Sequence, residues 1–401
     1  MTDKRNKNIK VSLHDVLTYF INNEKLSIPQ IAKEMDLSLP TVSKVFAELM
    51  EKNYIICIGK QETIEGRPPM LYTINPQLGY FIGVDIKYNY IRIGLVDFSG
   101  SILSIQNIQY TYENTSKSLN DFCLKIQNFI RESKVNSTLI INIQINISGR
   151  VDPEHGISYT MFSFLEDPIA EVLEYKLGHS VTIENDTRSM FYGEIYKGCV
   201  KGQKDIIYIN VGWGLGSSLM VDGHIVNGKS GFAGEFGHFY AFDNEILCHC
   251  GKKGCLETEV SGSALYRICI EQIKNGKQSI LSEKINNDVS SIELEDIIQA
   301  INNEDLLCIE IIEEIATKLG KQVANLVNLL NPELIIVGGN LSKTGDYLLL
   351  PLNVAIKKYT LKMVNKDLNI ALSELKDEAG IVGACYLARC NYLRNLRNVD
   401  L

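Results

Sequence analysis

The sequence predicts a small, mainly α domain over residues 1–77 and a large α/β domain of two lobes over residues 78–401. Three observations predict this. Three short amphipathic helix patterns, two of them with capping residues, open the chain and lead into two β-rich runs. Past residue 78, a strand-rich segment with a Gly or Asp turn occurs twice, as two related halves separated by a cleft would give. One His and three Cys lie within eighteen residues of the second half, spaced as a closed tetrahedral zinc site requires.

Composition sets the outer bounds. A chain of 401 residues with 45% hydrophobic and 22% charged residues is an ordinary globular protein of two or three domains. No apolar run approaches the roughly 18 residues of a membrane span. The N-terminus carries charge with no apolar core behind it, so no signal peptide is expected. The ten cysteines, dispersed apart from the cluster, favour a reducing compartment and metal binding over a disulfide framework, and a cytoplasmic location is expected. The net charge of −8 is uneven: residues 1–75 hold ten basic and nine acidic side chains, and the remainder holds thirty and thirty-nine. The acidic excess therefore lies wholly in the large domain. Lys4, Arg5, Lys7 and Lys10 against Asp3 make a basic arm that suits phosphates if a DNA-binding fold follows.

Such a fold does follow. From Val11 to Asn22, residues Val11, Leu13, Val16, Leu17, Phe20 and Ile21 fall near one helical face. Ser27 caps a second helix with Pro29 in its first turn and Ile31, Ala32 and Met35 inward. Ser38 caps a third, again with an early proline, Pro40, running to Met50. Only Asp36-Leu37 separates the two, which is a helix-turn-helix with the third helix as reader. Its first turn offers Thr41, Ser43 and Lys44 to phosphates and base edges. Tyr54–Ile58 and Met70–Ile74 fit the strands of a wing, and Arg67, held between Gly66 and Pro68, is an extended arm suited to a narrow minor groove.

In the large domain, Tyr80–Asp85, Tyr90–Asp97 and Ile102–Tyr110 read as strands, 117–131 as a helix, and Leu139–Ile145 as a further strand before the turn at Ser148–Asp152. Ser180–Asp186 is a strand ending in Asn-Asp, whose bland reading is a strand-to-helix turn with Asp as the cap. Ile206–Val211 leads through the Gly-rich Gly212–Ser218 to a return strand at Leu219–Gly223. Leu334–Gly339 reads as a buried strand with a ligand-approach turn, and Gly380–Cys385 opens a terminal helix.

The metal cluster carries the most specific signal. Glu235-Phe236-Gly237-His238 is followed, after nine residues, by Cys248-His249-Cys250-Gly251-Lys252-Lys253-Gly254-Cys255-Leu256-Glu257. His249, between two proposed ligands, competes with His238 for the metal on spacing alone. The pattern resembles the ROK family (repressors, open reading frames and kinases acting on sugars), whose motif is Glu-x-Gly-His, nine residues, Cys-x-Cys-Gly-x-x-Gly-Cys-x-Glu. Every fixed position is present.

The resemblance implies one structural zinc on His238, Cys248, Cys250 and Cys255, and sugar contacts from Glu235, His238 and Glu257. It implies an actin/hexokinase-like (ribonuclease H-like) ATPase fold for the two-lobed domain. It adds Asn185 and Asp186 to the sugar site, because the family has Glu-Asn-Asp where this chain has Glu184-Asn185-Asp186, with the Asp as general base in its kinases. Thr41-Val42-Ser43-Lys44 with Gly66-Arg67-Pro68 further resembles the repressor branch, similar to the N-acetylglucosamine and xylose repressors, with a winged helix-turn-helix at the N-terminus.

The nucleotide half departs from the family pattern. Family kinases carry Asp-x-Gly-Gly-Thr at the first phosphate turn, where this chain has Asp85-Ile86-Lys87-Tyr88-Asn89. The second turn keeps Gly212, Gly214 and Gly216 but places Trp213 where the family has a small hydroxyl residue. Backbone N–H groups cannot close on a triphosphate past such side chains. The expectation is therefore a sugar-responsive transcriptional regulator that binds double-stranded operator DNA and a sugar or sugar phosphate. It has no catalytic residue, no ATP or Mg²⁺, no membrane partner, and an even homo-oligomeric state, dimer or tetramer. The alternative is an ATP-dependent hexose or N-acetylhexosamine kinase with an appended DNA-binding domain, in which Asp186 is catalytic. A sugar-binding adaptor docking a protein through its N-terminal helices is a third.

Overall fold

The computed structural model describes residues 13–23, 25–60, 68–87 and 89–399. The chain forms two compact units: residues 1–147, 156–184 and 384–401 belong to the first, and residues 148–155 and 185–383 to the second.

The first unit opens with α1 (Leu13–Asn22), β1 (Leu26–Ser27), α2 (Ile28–Glu34) and α3 (Leu39–Glu51), then β2 (Ile55–Lys60) and β3 (Met70–Ile74). Local chemistry sets the two inner helix starts. Ser27 and Gln30 form a reciprocal capping box, and Ser38 accepts from the Thr41 N–H, each with a proline in the first turn. The turn between α2 and α3 runs Met35 to Ser38, longer than its two-residue reading, with Asp36 in the left-handed region at φ 53°. The sheet order is β1-β3-β2, so a two-residue strand invisible to periodicity completes the predicted pair. The wing tip, with Arg67, lies outside the described residues.

Val16, Leu17, Phe20, Ile31, Val42, Phe46 and Leu49 are buried together, and their core continues into Phe81, Phe98, Ala388 and Leu393. Phe98 is the pivot, 5.6 Å from the Phe81 ring, 5.9 Å from Tyr392 and 6.1 Å from Tyr54. The point between residues 77 and 78 thus falls inside one packed unit.

The rest of this unit is built on β4 (Tyr80–Ile86), β5 (Tyr90–Asp97), β6 (Ile102–Gln109), α4 (Ser116–Glu132) and β7 (Ile140–Ile147). Two short strands, β8 (Val151–Asp152) and β9 (Ile157–Ser158), precede α5 (Ile169–Leu177) and β10 (Val181–Asn185). The sheet order is β10-β7-β4-β5-β6, with β4–β5–β6 an antiparallel meander and β4–β7 parallel. Phe81 to Ile86 are all buried, as a strand covered on both faces requires.

The second unit repeats the plan. It contains α6 (Asp186–Lys197), β11 (Ile206–Val211), β12 (Leu215–Val221), β13 (His224–Ile225), α7 (Glu257–Val260), α8 (Gly262–Lys274), α9 (Ser282–Asn287), α10 (Leu294–Asn302), α11 (Leu306–Leu330), β14 (Leu334–Gly338), α12 (Asp346–Tyr359) and β15 (Asn369–Leu372). The order β13-β12-β11-β14-β15 again joins an antiparallel meander to a parallel partner, β14. β12 starts four residues before its sequence reading, because Leu215 to Ser218 pair with β11 rather than forming a loop. One apolar core joins β11 and β14 to α8, α10, α11 and α12. The terminal helix α13 (Ala379–Val399) begins in this unit and ends in the first. Among the described residues, no helix is long and apolar enough to cross a membrane.

Candidate metal centre and ligand site

His238, Cys248, Cys250 and Cys255 each offer a donor atom, and all four atoms lie within 4.8 Å of one another. Cys250 Sγ is 3.6 Å from Cys255 Sγ, and Cys248 Sγ is 3.6 Å from His238 Nδ1. These edges match a tetrahedron with metal–sulfur bonds of about 2.3 Å and metal–nitrogen bonds of about 2.0 Å, whose edges come to roughly 3.5–3.8 Å. Short backbone bonds shape the loop: Cys248 N–H donates to the Lys252 carbonyl at 2.8 Å and Gly251 N–H to the Cys248 carbonyl at 2.9 Å. Burial pushes the Cys248 thiol up to about 12. Cys250 is held below the usual thiol range because the Lys252 N–H and its neighbouring thiols outweigh burial. The donor set, two soft thiols buried and a third half-buried with an imidazole, fits zinc.

His249 stands apart from this tetrad. Its Nδ1 is 2.8 Å from Glu257 Oε1 and 3.8 Å from Cys248 Sγ, and its ring lies edge-on to His238 at 5.1 Å. Cys248, His249 and Glu257 form a second set that shares Cys248 with the first. The geometry assigns His249 to the carboxylate.

Glu257, the first residue of α7, is 8% exposed. Its Oε2 accepts the Leu215 N–H at 2.8 Å. Burial works to raise this carboxyl, but the His249 and Leu215 hydrogen bonds outweigh it and hold the group below the usual carboxylate range. Gly214 makes the approach possible: a Cβ there would stand 2.7 Å from Glu257 Oε2. Glu235 Oε2 lies 3.7 Å from His238 Nε2, the nitrogen pointing away from the cysteines. Glu235, His238 and Glu257 are therefore gathered around one cluster.

Asn185 and Asp186 sit at the β10–α6 junction. The cap is Asn185, not the aspartate of the sequence reading: its Oδ1 accepts from the Arg188 N–H at 3.1 Å while its Nδ2 donates to the Gly149 carbonyl at 2.9 Å. Asp186 Oδ1 accepts from the Thr187 N–H at 2.7 Å, and Oδ2 from the Ser148 hydroxyl at 2.6 Å. Ser148 has no sequence signal of its own, because a serine in a turn carries no pattern. Thr187 in turn abuts β12, 2.3 Å from where a Gly216 Cβ would be, one residue from the Leu215 that holds Glu257. The neighbour of the aspartate thus packs on β12 next to the residue that holds Glu257.

At the second Gly-rich turn and at Gly339, the described residues pack against neighbouring parts of the chain. Trp213, 44% exposed, leans on Tyr266 of α8 at 5.8 Å, and its carbonyl accepts the Ser263 N–H at 2.9 Å. Gly339 has φ 84°, and a Cβ there would fall 2.5 Å from Asn210 Oδ1 and from the Val211 carbonyl carbon. The close approach anticipated for a ligand at this turn is made by the end of β11. Tyr88, of the first turn, lies outside the described residues.

Thr41, Ser43 and Lys44 are exposed on α3. Thr41 Oγ1 shares a 2.7 Å hydrogen bond with Ser38 Oγ at the cap, which leaves Ser43 and Lys44 as the longer reach from that turn.

Comparison with known proteins places the chain among relatives of one family. The ROK family model matches residues 81–391. The chain is 31% identical over 371 residues to the xylose repressor of Caldicellulosiruptor bescii, spanning 92% of each sequence. It superposes on the crystal structure of a ROK family transcriptional regulator, a homologue of the Escherichia coli MLC protein, with a TM-score of 0.77 at 26% identity over 92% of each chain. A ROK family glucokinase from Streptomyces griseus, solved with glucose and AMPPNP, matches with a TM-score of 0.69 at 28% identity, covering 78% of this chain and 99% of its own.

Proposed function

The chain belongs to the ROK family, and from that premise we propose that it is a sugar-responsive transcriptional repressor rather than a sugar kinase. The observation that carries the reading is the pairing of the gathered His238, Cys248, Cys250 and Cys255 with a first turn whose Asp85 faces Lys87 at 2.7 Å. Similarity to a xylose repressor along 92% of the chain, N-terminal segment included, supports it.

Residues 1–77 act as a winged helix-turn-helix, with Thr41, Ser43 and Lys44 of α3 meeting the major groove and Arg67 the minor groove. An even oligomer matches two half-sites on operator DNA. One zinc on His238, Cys248, Cys250 and Cys255 fixes the loop. With Nδ1 of His238 on the metal, its Nε2 faces Glu235, and a sugar hydroxyl is bound by that pair together with Glu257. Asn185 and Asp186 supply the opposite contacts. Each carboxylate accepts hydrogen bonds from neighbouring hydroxyls, which orients the ring. Asp186, held by Ser148, accepts a hydrogen bond from a sugar hydroxyl without taking its proton.

The deciding experiment measures operator affinity by fluorescence anisotropy with and without a panel of sugars and sugar phosphates, alongside ATP consumption with the same sugars. Affinity that changes with one sugar, without ATP turnover, is the expected result. Sugar-dependent ATP turnover on the order of 1 s⁻¹ or faster would establish the kinase instead.

A further inference from the structure

Asp85 is fully buried at the end of β4. Antiparallel pairing sets it opposite Arg92 of β5, and parallel pairing sets it opposite Asn146 of β7, so the three side chains share one face of the sheet. Lys87, two residues on, falls on the same face. Its Nζ lies 2.7 Å from Asp85 Oδ2, and Asn146 Nδ2 donates to Asp85 Oδ1 at 3.3 Å. Oδ1 therefore accepts an amide N–H, while Oδ2 is met by the Lys87 ammonium as an ion pair without a directed hydrogen bond.

A divalent cation needs the reverse. Mg²⁺ takes oxygen lone pairs in near-octahedral geometry and keeps several waters. Here one neighbour is an ammonium, a second turns an amide N–H toward the carboxylate, and the Arg92 guanidinium, hydrogen-bonded to Asn107 Oδ1 at 2.8 Å, adds further positive charge on that face. The surroundings of Asp85 do not fit a metal. They do fit a permanent cation, and the chain supplies one. A buried carboxylate left without a counter-charge is costly, so a lobe that does not receive a metal nucleotide must compensate this aspartate in another way.

We infer that Lys87 is a tethered counter-ion for Asp85, filling a latent divalent-cation position in the first lobe. The aspartate survives as one half of an internal ion pair, and removal of the lysine re-opens the position to metal. This inference deepens the reading of the chain as a regulator rather than a kinase. ATP turnover tests that reading and thermal melting tests this one, so either can fail alone.

The test compares the full-length protein with Lys87→Met and with Asp85→Asn/Lys87→Met, melting each with and without millimolar Mg²⁺. The starting protein should ignore Mg²⁺. Lys87→Met should melt lower by roughly 5–10 °C, the scale of an uncompensated buried charge, and should recover part of the loss with Mg²⁺. The double variant should melt above the single one and ignore Mg²⁺. Should Lys87→Met fail to fold while the double variant folds, the charge pair is upheld. A Lys87→Met protein that melts normally or is indifferent to Mg²⁺, a starting protein that Mg²⁺ stabilises equally, or failure of both variants to fold would each overturn the inference.

Discussion

The Leu215 N–H donates to Glu257 Oε2 at 2.8 Å, and this bond ties the first residue of α7 to the hairpin of β11 and β12. It also uses one of the two oxygens of a residue expected to hold sugar. His249 lies 2.8 Å from the other, Oε1. A ligand hydroxyl that reaches Oε1 shares it with the imidazole or displaces it.

The Glu257→Gln variant follows from this. An amide retains an oxygen for Leu215 but loses the charge that His249 pairs with. Charge-assisted hydrogen bonds contribute about 1.5–3 kcal/mol, so effector affinity should fall roughly ten- to hundredfold while operator affinity without effector is unchanged. Titration calorimetry with the best sugar from the panel measures the first, and anisotropy the second. No change in effector affinity for both Glu257→Gln and Asp186→Asn would remove the sugar site from these residues.

Purified without chelator, the protein should contain one zinc per chain by elemental analysis. Cys250→Ser should lose that zinc and, with it, sugar binding. The loop from residue 239 to 256 is held by isolated bridges, Tyr240 to Cys255 and Leu247 to Lys253, rather than by a sheet, so it has little to fall back on. Absence of zinc from the starting protein would reject the tetrad as a metal centre.

On DNA, Lys44→Ala should weaken binding to every sequence alike and flatten the plot of log affinity against log salt by about one unit of slope. Arg67→Ala should cost most on sites with A·T-rich flanks, where the minor groove is narrow. Equal losses on A·T-rich and G·C-rich flanks would argue against the minor-groove role.

Asn185 allows its two bonds to be separated. Asn185→Asp keeps an acceptor for the Arg188 N–H but has no donor for the Gly149 carbonyl. Asn185→Ala loses both, and the missing cap alone should cost about 1 kcal/mol of stability. Denaturant melts should therefore rank the original above Asp and Asp above Ala. If Asp and Ala were equally destabilised, the Gly149 bond rather than the cap would be the feature that matters.

How far the sequence was legible follows the range of each interaction. The starts of α2 and α3 were readable because Ser27, Ser38 and their prolines act within one turn. β4 and β14 were readable because burial on both faces writes itself as a nearly continuous apolar run. β1 and β15 were not, since strands of two and four residues exist only through their partners. The motif placed His238 and the three cysteines together, yet neither the grip of Leu215 on Glu257 nor that of Ser148 on Asp186 has a spacing to betray it: the partners lie 42 and 38 residues apart.

The core that seats Phe20 and Phe46 also contains Ala388 and Leu393. A ribosome adds roughly 5–20 residues each second, so the helices that would read DNA emerge some tens of seconds before the residues that complete their packing. Through that interval Phe81 and Phe98 have no terminal helix to lie against. A message truncated shortly before Leu393 should therefore yield a protein cleared by proteolysis rather than one missing only its last turns.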